Sequence, residues 1–90
     1  MLTAAERKAL KAKAHKLEPV VQIGAKSLTD EVLAEIERAL RTHELIKVRA
    51  GSLDRDARDG AFDSICEKTG AEAVQQVGKV FVLFRKKNDE

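Results

Sequence analysis

The chain has 90 residues and a formal net charge of +2, with 36% charged and 43% hydrophobic residues. This length allows one domain, and the single cysteine, Cys66, excludes an internal disulfide bond. No apolar run approaches the roughly 18 residues that span a membrane, and the N-terminus lacks the apolar core of a signal peptide. We therefore expect a cytoplasmic protein with one domain over residues 1–87 and a frayed tail over residues 88–90.

The charges are unevenly distributed along the chain. Residues 1–26 carry a net charge of +4, residues 27–78 carry −4 and residues 79–90 carry +2. This asymmetry favours a polyanionic partner that contacts both ends of the chain and the loop that contains Lys26. A solvated surface without a partner is the alternative that charge alone leaves open.

The first predicted element is a helix over residues 4–17. It begins with a capping box, in which Thr3 and Glu6 each accept a hydrogen bond from the other's backbone N–H. Leu10, Ala14 and Leu17 form an apolar stripe with the spacing of one helix face. A second stripe on this helix is basic and contains Lys8, Lys11 and His15, with Arg7 beside it.

The next three elements are a strand, a helix and a second strand. Residues 20–23 are mostly β-branched, which predicts the first strand. The helix covers residues 30–42, and Thr29 is its predicted N-cap. Residues 45–50 then alternate, after the first residue, between apolar and basic side chains, which predicts a strand with one polar face.

The last segment predicts a helix and a hairpin. A helix over residues 54–69 ends at Gly70, and strands at 73–77 and 80–85 flank the pair Gly78-Lys79, which fits a type II′ turn. The full order is a helix followed by β-α-β-α-β-β. It predicts an α/β (α+β-like) domain with a four-stranded mixed sheet and helices packed on it. Two β-α-β crossovers imply parallel pairings, and the hairpin adds an antiparallel one.

The loop Gly24-Ala25-Lys26-Ser27 joins the first predicted strand to the second helix. A glycine at a strand end allows a positive φ and the close approach of a ligand. The helix start just after it presents free N–H groups and a partial positive charge. Together with the charge of Lys26, these features favour a phosphate site, although strand-glycine-helix junctions without a ligand are common. The spacing matches neither nucleotide-binding glycine pattern but is similar to the Gly-x-x-Gly loop of KH domains, which clamps an RNA backbone.

Several separated motifs occur in one order along almost the whole chain. They are Pro-Val-Val-Gln-Ile-Gly at 19–24, Leu28-Thr29, Val-Leu-Ala-Glu-Ile at 32–36, His-Glu-Leu-Ile-Lys-Val at 43–48, and Gly70 with the segment 78–85. This set resembles the CRM domain, whose name stands for chloroplast RNA splicing and ribosome maturation. The length is similar to that of the stand-alone bacterial members.

The resemblance implies an RNA-binding domain with the topology given above, similar to the C-terminal domain of translation initiation factor three. It also implies association with precursors of the large ribosomal subunit. Gly24 matches the first glycine of the family's Gly-x-x-Gly loop, whereas Ser27 replaces the second. That departure bears on how closely an RNA backbone approaches residue 27.

Other kinds of site have little support. Phe62 is a predicted core residue and only Phe81 and Phe84 remain, so contacts should depend on phosphates and RNA shape instead of base stacking. His15 and His43 are far apart, and no cysteine or histidine has metal-ligand spacing. The four aspartates between residues 54 and 63 favour a solvated helix face over a magnesium site. We expect no enzymatic activity, no metal and no cofactor.

Charge and the loop favour a non-enzymatic protein that binds a polyanion. We expect a monomer, and the resemblance implies that its partner is ribosomal RNA of the large-subunit precursor during ribosome assembly. The alternatives are a module that binds a ribosomal protein or assembly factor through the acidic middle of the chain, and a DNA-binding protein. The predicted RNA-contacting residues lie in the loop, on the first helix and at the end of the last strand: Gly24, Ala25, Lys26, Ser27, Leu28 and Thr29; Lys8, Lys11 and Lys16; and Arg85.

Overall fold

The computed structural model describes residues 2–24 and 28–86. The predicted tail at 88–90 lies outside the described residues. The elements follow the predicted order: α1 (Ala4–Ala14), β1 (Val21–Gln22), α2 (Asp30–His43), β2 (Leu45–Arg49), α3 (Arg55–Thr69), β3 (Glu72–Val77) and β4 (Val80–Phe84).

The helix starts form as the local sequence predicts. Thr3 Oγ1 accepts the Glu6 N–H at 3.1 Å, and Glu6 Oε1 accepts the Thr3 N–H at 3.0 Å, so the capping box is confirmed. Thr29 Oγ1 accepts the Val32 N–H at 3.1 Å, which confirms the N-cap of α2. These caps satisfy N–H groups that have no partner within a helix.

Helix α1 ends three residues earlier than predicted, at Ala14. The N–H of Lys16 donates to the Lys13 carbonyl, and the N–H of Leu17 donates to the Ala14 carbonyl. Bonds of this i to i−3 type tighten the chain into a turn. Leu17, which was expected on the buried stripe, is therefore 38% exposed.

Glycines close α3 and the hairpin. Gly70 has a left-handed φ of +74° and ends α3, as predicted. Between the paired residues Val77 and Val80, Gly78 has a φ of +56° whereas Lys79 has no positive φ. A positive φ at the first central position alone is the pattern of a type II′ turn.

The predicted fold class is confirmed, but one pairing within the sheet differs. The strand order is β1-β2-β4-β3; β1 is parallel to β2, and β4 is antiparallel to both β2 and β3. The expected parallel pairing of β2 with β3 is wrong because β4 lies between them. Strand β4 reads Val-Phe-Val-Leu-Phe and is largely buried on both faces, so its place is at the centre of the sheet. Strand β3 is more polar and forms an edge.

The two faces of the sheet are covered by different helices. On one face, α2 and α3 bury a large core that includes Ile36, Ile65 and Phe81, and the Phe62 ring stacks on Phe81 with centroids 4.5 Å apart. On the other face, α1 inserts Leu10 and Ala14 into a smaller cluster. Its other members are Leu45, Val74 and Val82, with Leu2 and Phe84 packed against them.

A β-bulge in β3 changes which residues face α1. The register with β4 shifts between Ala73 and Gln75. Val74 packs into the cluster beneath α1, and Gln75, which is its direct neighbour, pairs with Val82 of that same cluster. The bulge thus lets two consecutive residues serve one face of the sheet.

Candidate nucleic-acid interface

The predicted loop site begins at the end of β1, next to Arg49. The Ile23 N–H donates to the Arg49 carbonyl at 2.8 Å, and Gly24 follows as an exposed residue. Gly24 does not use the positive φ that glycine allows, because the glycines with positive φ among the described residues are Gly70 and Gly78. A Cβ atom at Gly24 would meet no heavy atom within 4 Å. The fold therefore does not require glycine at this position.

At the other end of the loop, Leu28 and Thr29 have structural roles. Leu28 is half-buried against the core beneath α2, and the Thr29 hydroxyl is engaged as the N-cap. Asp30 and Glu31 lie exposed in the first turn of α2, where their carboxylates already complement the helix dipole. A phosphate at this helix start would meet their repulsion, so its attraction must come from elsewhere. Predicted site residues 25–27 lie outside the described residues.

The three predicted lysines of the N-terminal segment differ in their surroundings. Lys8 is exposed, and Lys16 is exposed beyond the end of α1. Lys11 is half-buried and borders a groove between α1 and the sheet, together with His15 of the same basic stripe. Of the predicted lysines, Lys11 is the one that the structure places against other basic residues.

We call this cavity the basic groove. It has a volume of about 320 Å³ and lies between the C-terminal part of α1, the segment after it, and strands β2, β3 and β4. The charged and titratable residues that line it are all basic. Its lining consists of Lys11, Ala14, His15, Pro19, Lys47, Arg49, Gln75, Val77, Val80 and Val82.

Lys47 and Arg49 were not among the sequence-predicted site residues. Because alternate residues of a strand share a face, both lie on the face of Leu45, opposite Val82 and Val80 of β4. Helix α1 covers the Leu45 end of this face and leaves the Arg49 end open. The alternation in residues 46–50 did predict a polar strand face. Whether this strand face is open to a ligand depends on how far α1 extends over the sheet. The alternation within one strand does not show that.

Lys79 adds a further cation at the open end of the groove. The Ala50 N–H donates to the Lys79 carbonyl at 2.7 Å, which ties the hairpin turn to the end of β2. A Cβ atom at Gly51 would lie 3.7 Å from Arg49 Nε and 4.0 Å from Lys79 Cδ. The Arg49 and Lys79 side chains therefore approach the same point, and positive charge accumulates where β1, β2 and the hairpin meet.

Arg85 lies in a different environment from the groove. Its Nη2 donates to Glu37 Oε2 at 2.6 Å, while Nη1 donates to Glu37 Oε1 and to the Thr69 carbonyl, both at 2.8 Å. These hydrogen bonds hold the pKa of Glu37 below its ordinary value and raise the pKa of Arg85. The guanidinium thus links the end of β4 to α2 and to the C-terminus of α3. The prediction that Arg85 contacts RNA remains untested, but this geometry gives the side chain a structural role.

The remaining candidates for chemistry have structural explanations. Burial raises the pKa of the Cys66 thiol to about 11, so the nucleophilic thiolate is scarce at neutral pH. Asp54 Oδ1 accepts the Ala57 N–H at 2.8 Å as the N-cap of α3. Within residues 2–24 and 28–86, no group of three or more His, Cys, Asp or Glu side chains is placed to hold a metal ion. In the same ranges, no helix has the length and apolar character needed to cross a membrane.

The fold and the groove together define a class of protein. The described residues form a small α+β domain whose basic groove has an apolar floor, and none of its phenylalanine rings lines this groove. The CRS1 / YhbY (CRM) domain model matches residues 2–85, and the chain belongs to this family.

Individual relatives agree with this assignment. The chain is 44% identical over 84 residues to an RNA-binding protein of Haemophilus influenzae, covering 93% of this chain and 85% of that protein. It is 41% identical over 85 residues to a protein of Pseudomonas aeruginosa named a probable RNA-binding protein, covering 94% and 82%. The solution structure of a hypothetical protein from Staphylococcus aureus superimposes with a TM-score of 0.86 at 29% identity, covering 99% of this chain and 93% of that one.

Proposed function

We propose that this chain is a non-enzymatic, cytoplasmic RNA-binding protein that acts as a monomer on precursors of the large ribosomal subunit. The observation that carries the RNA-binding proposal is the basic groove, whose described lining includes Lys11, Lys47 and Arg49 and no acidic residue. The names of the relatives from Haemophilus and Pseudomonas support RNA as the partner. The ribosomal part of the proposal rests on the resemblance to the CRM family.

The groove can bind phosphates without reading the sequence of an RNA. Lys11, Lys47 and Arg49 lie on two elements on either side of one cavity. The planar Arg49 guanidinium is suited to bidentate contact with a phosphate, whereas each lysine acts as a point charge. Each neutralised phosphate releases counterions, so the logarithm of the affinity should fall by about 0.7–0.9 per contact per decade of salt.

The loop after β1 is the proposed second contact. It leaves the sheet at Gly24, directly after Ile23, whose N–H donates to the Arg49 carbonyl, so an RNA strand bound at Arg49 would lie near the start of the loop. Lys26 supplies a further charge in this loop, and exposed lysines of α1 such as Lys8 extend the cationic surface. The repulsion from Asp30 and Glu31 makes Lys26 and the groove the main sources of attraction.

A charged substitution at Gly24 tests the contribution of the loop. Since the space around Gly24 is open, Gly24→Asp should fold normally and weaken RNA binding by about five- to tenfold, because a negative charge then faces the phosphates. Fluorescence anisotropy with a labelled ribosomal RNA fragment measures the effect, and circular dichroism checks the fold. Gly24→Asn is the matched neutral control. If Asp and Asn bind equally well, the loop does not approach the RNA backbone.

The ribosomal part of the proposal is tested by sedimentation. Tagged protein at its native level is followed through sucrose gradients of cell lysate at low and moderate salt, with and without RNase. Co-migration with large-subunit precursors, abolished by RNase and reduced by salt, is the expected result. Protein that remains at the top of every gradient, although it binds RNA in vitro, would contradict a ribosomal role.

Binding to a protein partner is the second candidate. On the other side of α1, a cavity of about 450 Å³ is lined by Leu17 and Val20, which are 38% and 50% exposed. A ribosomal protein or assembly factor that covers this apolar surface would stay bound at high salt, because salt screens charges and leaves apolar contacts intact. Complexes that survive high salt and RNase would therefore favour this candidate over RNA.

A further inference from the structure

The floor of the basic groove is apolar, which simple phosphate binding does not explain. Val77 is 55% exposed and pairs with Val80 of β4. Val82 lies two residues after Val80, on the same face of the sheet. Pro19 closes the groove on the side of the chain that returns from α1. An exposed apolar surface among cationic side chains indicates a ligand that has both an apolar surface and negative charge.

We propose that the basic groove is a subsite for one unstacked nucleotide of single-stranded RNA. This inference rests on the proposed function and names the RNA form that the site recognises. The base lies on Val77, Val80 and Pro19, and the phosphates on either side of it are held by Lys47 and Arg49.

The size and shape of the groove fit a single nucleotide. Its volume of about 320 Å³ lies at the small end of ligand pockets, which begin near ~300 Å³. In an RNA duplex the bases are stacked and paired, so they cannot reach a floor set between a helix and a sheet. A splayed base in a loop, bulge or single strand can.

The groove also provides groups that a nucleobase can use. Proteins that bind single-stranded RNA stack bases on aromatic rings, on histidine or on arginine planes. The aromatic residues in this chain are phenylalanines, and none of them lines the groove. The planar groups that do line it are the His15 imidazole and the Arg49 guanidinium, and the Gln75 amide offers both a donor and an acceptor for a base edge.

A matched pair of variants tests the subsite. Val77 and Gln76 are consecutive, yet Val77 pairs with Val80 in the groove, whereas Gln76 pairs with Phe81, whose side chain belongs to the core on the opposite face. Val77→Glu and Gln76→Glu each add one negative charge at an exposed position. We expect Val77→Glu to weaken binding of an unstructured oligoribonucleotide of about eight nucleotides by about tenfold, and Gln76→Glu by less than about twofold.

Methyl NMR of the wild-type protein gives an independent readout. The methyl signals of Val77 and Val80 should shift when the single-stranded oligonucleotide is added and shift much less with a duplex of the same sequence. If Val77→Glu does not fold, Val77→Thr keeps the shape and replaces a methyl group with a hydroxyl, and a loss of about threefold is then expected.

The outcomes separate the subsite from RNA binding itself. Tight binding of the oligonucleotide with unmoved Val77 and Val80 methyl signals, or with equal losses in the two glutamate variants, would overturn the subsite and leave RNA binding intact. Equal methyl shifts with the duplex would overturn the preference for an unstacked nucleotide. Absence of binding to single-stranded, duplex and ribosomal RNA alike would overturn the proposed function, and the subsite with it.

Discussion

Reversing the two charges that β2 contributes to the basic groove, in the double variant Lys47→Glu/Arg49→Glu, is expected to weaken RNA binding by about a hundredfold at low salt. Each substitution replaces attraction of an RNA phosphate with repulsion. Lys11 lines the same groove and Lys79 lies close to Arg49. Titrations between about 50 and 200 mM salt should give a slope of log affinity against log salt that is smaller by at least about 1.4, which corresponds to two lost phosphate contacts.

The matched control places the same charge change on the opposite layer. Arg38→Glu/Lys68→Glu also reverses one arginine and one lysine, at exposed positions of α2 and α3. These helices cover the other face of the sheet, so we expect a loss of less than about fivefold from the change in overall charge. If both double variants lost affinity equally, binding would depend on net charge and the groove would not be the site.

Replacing Arg85 is expected to affect stability more than RNA binding. Arg85→Gln removes three hydrogen bonds, two to the Glu37 carboxylate and one to the Thr69 carbonyl. The two charged side chains are 25% and 31% exposed, so solvent weakens the ion pair, and we expect a loss of about 1–2 kcal/mol in the free energy of unfolding. Chemical denaturation measures it, and Lys86→Gln, which removes the same charge at the next, exposed position, should cost less than about 0.5 kcal/mol.

The difference between wild type and Arg85→Gln should depend on pH in a defined direction. The hydrogen bonds from Arg85 lower the pKa of Glu37 below its ordinary value of 4.5. Between that lowered pKa and 4.5 the unfolded chain binds more protons than the folded protein, so this contribution to stability grows as pH rises. The difference should therefore be fully present above about pH 5 and shrink as pH falls through the folded pKa of Glu37, leaving the part that comes from the Thr69 carbonyl. A constant difference down to strongly acid pH would contradict the Glu37 contact.

Arg85→Gln and Lys86→Gln also test the prediction that Arg85 contacts RNA. Below the unfolding transition, Arg85→Gln should bind RNA as well as Lys86→Gln does, because the Arg85 guanidinium is already engaged by Glu37 and Thr69. A loss that is much larger than for Lys86→Gln, with the fold intact, would restore Arg85 to the RNA site.

Features that depend on neighbouring residues were predictable from the sequence. The capping box at Thr3, the N-cap at Thr29 and the helix end at Gly70 follow from hydrogen bonds or φ values within a few residues of each other. The type II′ pattern at Gly78 is equally local. The C-terminus of α1 was predicted three residues too late, because Leu17 fits a helical stripe but lies in a short turn after the helix.

Features that depend on which elements meet were not predictable in the same way. The central position of β4 follows from burial on both of its faces, which appears only once the helices are assigned to layers. The groove residues Lys47 and Arg49 showed the expected alternation, yet their exposure depends on where α1 stops. Of the predicted site residues, Lys11 joins this groove, Leu28 and Thr29 serve the fold, and residues 25–27 lie outside the described part of the chain.

The bulge in β3 has a consequence for how copies of the molecule behave toward one another. Strand β3 is an outer strand of the sheet, and a regular outer strand invites pairing with a strand from another molecule. The shift between Ala73 and Gln75 interrupts the even spacing of backbone donors and acceptors along that edge. The irregularity that brings Gln75 into the groove therefore also makes β3 a poor template for edge-to-edge aggregation, which favours solubility at high concentration.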